Sequence, residues 1–320
     1  MKSKFILCLS ILLFGGTALF SAENSPITVA QDGSGDFKTI QEAINSCRAF
    51  QDDEKVIFIK SGIYKEKILI DSFYTNLKLV GESAEKTIIT FDDFAGRNKM
   101  GTFKSFTMKI TGNRISLENL TIENSAGEVG QAVALHVEGD QCTFRNCRII
   151  GNQDTVYAAG QKSRQYFVDC FISGTTDFIF GAATAIFDRC TINSRRNSYI
   201  TAASTPKYNR FGYVFRKCTL NAEPGVDKVY LGRPWRDFAR VVFLECEMGN
   251  HILPAGWHNW DQPAREKTSF YAEYKSSGMG ANAGTRVSWS HQLSKKEAIG
   301  YTLANIFKQD LNKWIPEAVK

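Results

Sequence analysis

Short apolar runs separated by Gly, Asn and Asp fill the chain from Val56 onward, beginning with VIFI (56–59), KILI (67–70), LKLV (77–80) and TIIT (87–90). Runs this short, bounded by turn formers, read as strands. Gly62, Gly81, Gly96 and Gly101 mark the bends between them. Further on the pattern becomes a repeat: FRNCRI from Phe144, FVDCFI from Phe167, FDRCTI from Phe187, FRKCTL from Phe215 and FLECEM from Phe243, preceded by the variant LENLTI from Leu117. Successive copies start 27, 23, 20, 28 and 28 residues apart. The period is too irregular for helical repeat arrays, and the segments lack helical periodicity. Several strands and bends per copy suit one coil of a parallel β-helix with loops of differing length. The expected fold is all-β: a single-domain right-handed parallel β-helix with short capping helices at the N- and C-terminal ends.

The repeat has an internal logic. Phe at its first position and Cys at its fourth differ in parity, so one straight strand cannot point both inward. A short bend between them can, after which Cys and the Ile, Leu or Met two residues later share a face. Each coil then adds a phenylalanine, a cysteine and an aliphatic residue to columns along the core.

A solenoid also needs covered ends, where core and strand edges would otherwise meet water. Thr39 and Glu42 have capping-box spacing before Ile40, Ala43, Ile44 and Cys47, which predicts a helix at the start. The loop QDGSGDF (31–37) precedes it. Ser294 and Glu297 repeat the spacing before AIGYTLANIFKQDLNKW, which predicts a second helix packing Ile299, Leu303, Ile306 and Trp314 on the body.

The first 22 residues differ from all this. Lys2 and Lys4 precede an apolar run from Phe5 to Phe20, followed by small residues at Ser21 and Ala22. This reads as an export signal, since the run falls short of the roughly 18 to 20 apolar residues a membrane span needs. No later stretch could span a bilayer. Losing residues 1–22 lowers the formal charge from +6 to +4. The charge is mixed, with no Lys/Arg run interleaved with aromatics to suggest a nucleic-acid surface. A mildly basic exported protein suits an acidic polysaccharide better. Of the eight cysteines, Cys8 leaves with the signal, and Cys147, Cys170, Cys190, Cys218 and Cys246 recur at one repeat position. There they serve as small buried apolar residues. A disulfide ladder is disfavoured, because side chains on in-register strands run parallel. With no CxxC pair and four histidines at no ligand spacing, no metal is expected.

The candidate chemistry sits in two copies of one unit. Asp154 and Asp177 each fall seven residues after the cysteine of their own copy, Cys147 and Cys170. Adjacent strands lie about 4.8 Å apart, so stacked copies make the carboxylates neighbours. Two such carboxylates resist ionising together, and one keeps a proton beside the charged other. That pairing offers an acid next to a nucleophile or base. Turn aspartates more often bond their own backbone, but here two share one column, flanked by Gln153, Tyr157, Phe178 and Phe180.

Four motifs in order, GQAVAL (130–135), GNQDTVY (151–157), DFIFG (177–181) and LGRPW (231–235), resemble the carbohydrate esterases called pectin methylesterases, or pectinesterases. The likeness extends from ITVAQDGSGDFKTIQEAI near the start to AGWHNW (255–260). It implies a pectinesterase catalytic domain over residues 23–320, with methyl-esterified pectin (homogalacturonan) as substrate. By the same resemblance Asp177 is the nucleophile and Asp154 the general acid/base. Gln131 and Gln153 donate to the oxyanion, and Arg233 orients Asp177 and keeps it ionised. Trp235 and Trp257 flank the groove, with Tyr157 and Phe180 lining it. The implied protein acts as a monomer without metal or cofactor, binds neither nucleic acid nor, once the signal is removed, membrane, and is secreted or periplasmic. Two positions depart from the family pattern: His136 stands where a basic residue often follows QAVAL, and Ala159 where a histidine often follows QDTVY. Neither removes a catalytic group.

Two other readings stay open at this point. A polygalacturonase or pectate lyase could use the same fold, and paired carboxylates about 5 Å apart suit a retaining glycosidase. A non-catalytic β-helix adhesin or carbohydrate-binding protein would keep the coils and aromatics without needing Asp154, Asp177 and Arg233 together. A serine esterase is disfavoured by the absence of a GxSxG elbow.

Overall fold

Three parallel sheets of 11, eight and seven strands wind around one core in a computed structural model that describes residues 25–309 and 312–316. The signal expected at residues 1–22 lies outside the described residues. Each coil runs from the 11-stranded sheet to the eight-stranded sheet, then to the seven-stranded sheet, and returns through a loop. The crossovers are right-handed, the hand that nearly all parallel connections adopt.

The repeat fixes how the coils stack. Leu117, Phe144, Phe167, Phe187, Phe215 and Phe243 pair in register along the 11-stranded sheet. The five phenylalanine rings stack at 4.4–4.7 Å, within 13° of parallel. On the next sheet Ile149, Ile172, Ile192, Leu220 and Met248 form the matching aliphatic column. Between the two lies the expected bend, carried by one residue in left-handed conformation. Asn119, Asn146, Asp169, Arg189, Lys217 and Glu245 all have φ between 47° and 55°. This conformation costs a non-glycine residue roughly 1–2 kcal/mol, but it aims each N–H at the next coil. Asn146 N–H reaches Val168 O at 3.0 Å, Arg189 N–H reaches Arg216 O at 2.9 Å and Lys217 N–H reaches Leu244 O at 2.9 Å.

After every bend but the one at Asn119, where Leu120 follows, a cysteine points inward and its thiol donates backward to the preceding coil. Cys170 Sγ lies 3.4 Å from Phe144 O, Cys190 Sγ 3.6 Å from Phe167 O and Cys218 Sγ 3.3 Å from Phe187 O. All seven cysteines among the described residues are free thiols.

The N-terminal helix is Ile40–Asn45, capped by the Thr39 hydroxyl, with Ile40, Ala43 and Ile44 wholly buried over the first coil. Glu66 supports the same end, accepting from the N–H groups of Ile40 and Gln41.

The C-terminal expectation needs correction. Ser294 and Glu297 do form a capping box, but the helix Lys295–Ala298 stops after four residues, before Gly300. A separate short helix, Leu303–Ile306, restarts from Thr302. Ile299, expected to be packed, is 64% exposed. The segment also covers a different surface: Ile306, Phe307, Leu303 and Trp314 lie on Tyr166, Val168, Ile186, Val214 and Val242. These residues alternate with the core phenylalanines, so they belong to the outer face of the 11-stranded sheet. Arg164 fastens the segment there through Nη1 to Phe307 O at 2.9 Å. The last coils are closed by Trp257, Tyr271 and Trp289 and by the buried Arg286–Glu273 ion pair at 2.7 Å.

Phe187 is stacked on both sides, so Phe187→Ala should lower unfolding free energy by about 3–5 kcal/mol, with Phe187→Leu costing less. Urea unfolding followed by circular dichroism measures the difference.

Candidate active site

Asp154 and Asp177 occupy equivalent places in successive coils, at the corner where the eight-stranded sheet gives way to the seven-stranded one. Val156 pairs with Ile179 and Tyr157 with Phe180 to hold this register, and an isolated bridge between Gln131 and Gln153 ties the Asp154 coil to the one before it. Asp154 N–H donates to Thr176 O at 3.1 Å and Asp177 N–H to Tyr199 O at 2.8 Å. Both aspartates are left-handed, with φ of 66° and 49°, a conformation that persists only where the surroundings over-determine it. Close packing beneath the corner contributes: a Cβ on Gly174 would sit 2.2 Å from Phe178 Cβ.

The two aspartates are 4% and 5% exposed, yet their partners differ. Arg233 grips Asp177 with two bonds, Nε to Oδ1 at 2.9 Å and Nη2 to Oδ2 at 2.7 Å. The guanidinium is itself sandwiched between the rings of Tyr199, at 3.9 Å, and Trp260, at 3.7 Å. Among the described residues no cation is in hydrogen-bonding contact with Asp154, which accepts an amide bond from Gln131 Nε2 at 3.0 Å. Thr102 Oγ1 donates to Gln131 Oε1 at 2.7 Å, which turns the amide so that its NH₂ faces the acid.

This asymmetry separates their titration. Burial, reinforced by the charge of Asp177, pushes the Asp154 carboxyl up to about 8. Burial also raises Asp177, but Arg233 opposes it through hydrogen bonding and charge. The sequence-based expectation that Arg233 lowers the Asp177 pKa therefore holds for the direction of its influence only, since burial outweighs it. At neutral pH Asp154 holds the proton.

The pair opens into a pocket of about 180 Å³ lined by Thr102, Phe103, Gln131, Gln153, Phe180, Ala202, Arg233, Trp235 and Trp260 besides the two aspartates. Phe180 and Trp235 meet edge to face at 5.8 Å, and the aromatic row continues through Tyr157 and Phe103 at 4.5 and 4.9 Å. Trp257 departs from expectation. It is 1% exposed and packs against Tyr271 and Phe243 in the core. The reason is register: Trp257 bridges Gly232 and so joins the inward column of Leu135, Val156 and Ile179. The tryptophan of AGWHNW that reaches the pocket is Trp260. The bridge to Gly232 is tertiary, so no sequence pattern separated the two tryptophans, and nothing in the sequence marked Thr102 or Phe103. His136 is buried outside the pocket lining with Nε2 2.8 Å from Glu138, and packs on Tyr157 at 4.6 Å. Burial, then the nearby Lys109 charge, pushes its pKa down to about 4.

In a right-handed parallel β-helix, a protonated aspartate thus stands beside an arginine-clamped one at the floor of an aromatic pocket. The chain belongs to the pectinesterase family, whose model matches residues 26–310. It is 38% identical over 304 residues to an Arabidopsis thaliana protein described as probable pectinesterase/pectinesterase inhibitor 23, covering 90% of this chain and 53% of that one. The chain thus spans about half the length of the first curated relatives it matches. Among solved structures, the pectin methylesterase from carrot superposes with a TM-score of 0.84 at 35% identity, covering 88% of this chain and 93% of that one. A pectin methylesterase solved in complex with a hexasaccharide gives 0.76 at 31% identity, covering 92% and 99%.

The raised Asp154 has a consequence for stability. Below the ordinary carboxylate range the folded and unfolded chains both hold the proton. As pH rises towards 8 the unfolded chain loses it while the folded chain keeps it, which costs about 1.4 kcal/mol per pH unit. Asp154→Asn avoids that loss, so its melting temperature should exceed the parent's at pH 8 and match it near pH 3.5, measured by calorimetry across the range.

Proposed function

We propose that the chain is a pectin methylesterase, hydrolysing methyl esters of galacturonate units in pectin to methanol and free carboxylate. The observation that carries this is the unequal pair, one aspartate held by Arg233 and the other still protonated at neutral pH. Membership of the pectinesterase family supports the substrate class, as does a related pectin methylesterase solved with a hexasaccharide.

In this reading Asp177 attacks the ester carbonyl and forms an anhydride with the galacturonate. The departing methoxide takes the Asp154 proton and leaves as methanol. Asp154, now a carboxylate, removes a proton from water, which attacks the anhydride. Asp177 is released, Asp154 regains its proton, and the new galacturonic acid ionises into solvent. Charge accumulates on the carbonyl oxygen in both steps, and the amides of Gln131 and Gln153 are the donors at hand. A preset donor of this kind is worth about 10²–10³ in rate. Trp235, Phe180 and Tyr157 offer apolar faces to the sugar rings, with Trp260 taking the place expected of Trp257. Pectin lies outside cells, so residues 1–22 serve for export.

Methanol release from methylated pectin tests the reading. Asp177→Ala should reduce turnover by more than about 10³-fold with an unchanged circular dichroism spectrum, and full activity in that variant would sink the mechanism. New reducing ends would instead indicate a glycosidase, and unsaturated ends a lyase. Asp154 must be protonated to deliver its proton, so kcat should fall as pH rises through about 8. A rate that stays level to pH 10 would remove Asp154 as the acid.

A further inference from the structure

Beside the pocket, past the C-terminal ends of the seven-stranded sheet, stands a wall made by residues 204–212 and 235–239. Its cations have an unusual setting. Lys207, Arg210 and Arg236 are exposed, and among the described residues none has a carboxylate partner. Each lies over an aromatic ring instead: Lys207 over Phe238 at 5.4 Å, Arg210 over Phe211 at 5.1 Å and Arg236 over Trp235 at 5.2 Å. The acids nearby are engaged elsewhere. Asp237 pairs with Arg265 at 3.3 Å, and Glu297 caps its own helix through Ser294.

The wall is also fixed in shape. Tyr208 is 66% exposed, yet its hydroxyl donates to Gln161 Oε1 at 2.7 Å. Asn209 Nδ2 donates to Gln161 O at 2.8 Å, and Arg240 N–H to Thr205 Oγ1 at 3.1 Å. Behind Tyr208 lies a cleft of about 460 Å³ bordered by Lys162, Asn209, Arg210 and Lys308. The surface is continuous with the catalytic pocket, because Trp235 lines that pocket and carries Arg236 on its ring.

We propose that this wall is a second binding surface, for de-esterified galacturonan: its cations receive carboxylates and the pinned ring of Tyr208 receives a sugar face. The proposal rests on the esterase reading above. Each turnover there replaces a neutral ester with a carboxylate beside Asp177, where like charge repels it. A neighbouring surface on which Lys207, Arg210 and Arg236 have no carboxylate partner among the described residues holds the freed stretch and keeps the remaining esters near the pocket. The wall differs from a general polyanion surface in its continuity with the site that makes the anion.

The test compares the parent with the double variant Lys207→Ser, Arg210→Ser and with Tyr208→Ser, after melting curves show that each is folded. Calorimetry with fully de-esterified decagalacturonate should give roughly tenfold weaker binding for the double variant at low salt, a gap that closes as the Debye length shortens. Tyr208→Ser should weaken binding at every salt concentration. Methanol release from a methylated trigalacturonate should be unchanged in both. Equal decagalacturonate affinity in parent and variants overturns the proposal, as does an equal loss of binding to polyglutamate or single-stranded DNA. If the parent releases no methanol while the affinity gap persists, the esterase reading fails and the binding surface stands.

Discussion

Everything in this molecule depends on the hydrogen-bonded register between one coil and the next. A parallel ladder fixes neighbouring strands at about 4.8 Å, and any residue type recurring at one offset therefore becomes a column. The left-handed bend residues and the thiols lock that register from both sides of each corner, one bonding forward and the other backward along the axis. A slip of one residue would turn the phenylalanine column to solvent and separate the two aspartates together. The core and the site are thus two readings of a single constraint.

That constraint supplies proximity, but the chemistry comes from what differs between coils. Asp154 and Asp177 have the same backbone conformation and nearly the same burial. What separates them is Arg233, contributed three coils beyond Asp154 by the strand Tyr230–Pro234, and Gln131, contributed by the coil before. Low dielectric makes each charge expensive, so one guanidinium decides which acid ionises first. A repeat of identical coils could not break that symmetry.

Much of this was legible in the chain. The Phe and Cys offsets forced a bend between them, and the bend appears at Asn146, Asp169 and Arg189. The equal spacing of the aspartates from their cysteines placed them in one column. Departures arose where tertiary packing decided the outcome. The C-terminal segment had capping signals and an apolar pattern, but Gly300 broke it and the outer face of the 11-stranded sheet offered more to cover than the end of the solenoid did. Trp257 and Trp260 are equivalent by composition, and only the bridge to Gly232 sends the first inward. Thr102 acts on Gln131 from a loop 29 residues earlier, a relation that no local pattern could carry.

The thiol column has a consequence for how the folded chain meets oxidants. Burial pushes Cys147, Cys170, Cys190 and Cys218 well above the ordinary thiol range. Thiol–disulfide exchange needs the thiolate and an open approach to sulfur, and these sulfurs have neither. Once wound, this column is closed to the redox state around it, and its cysteines meet oxidants only in the interval before the coils close.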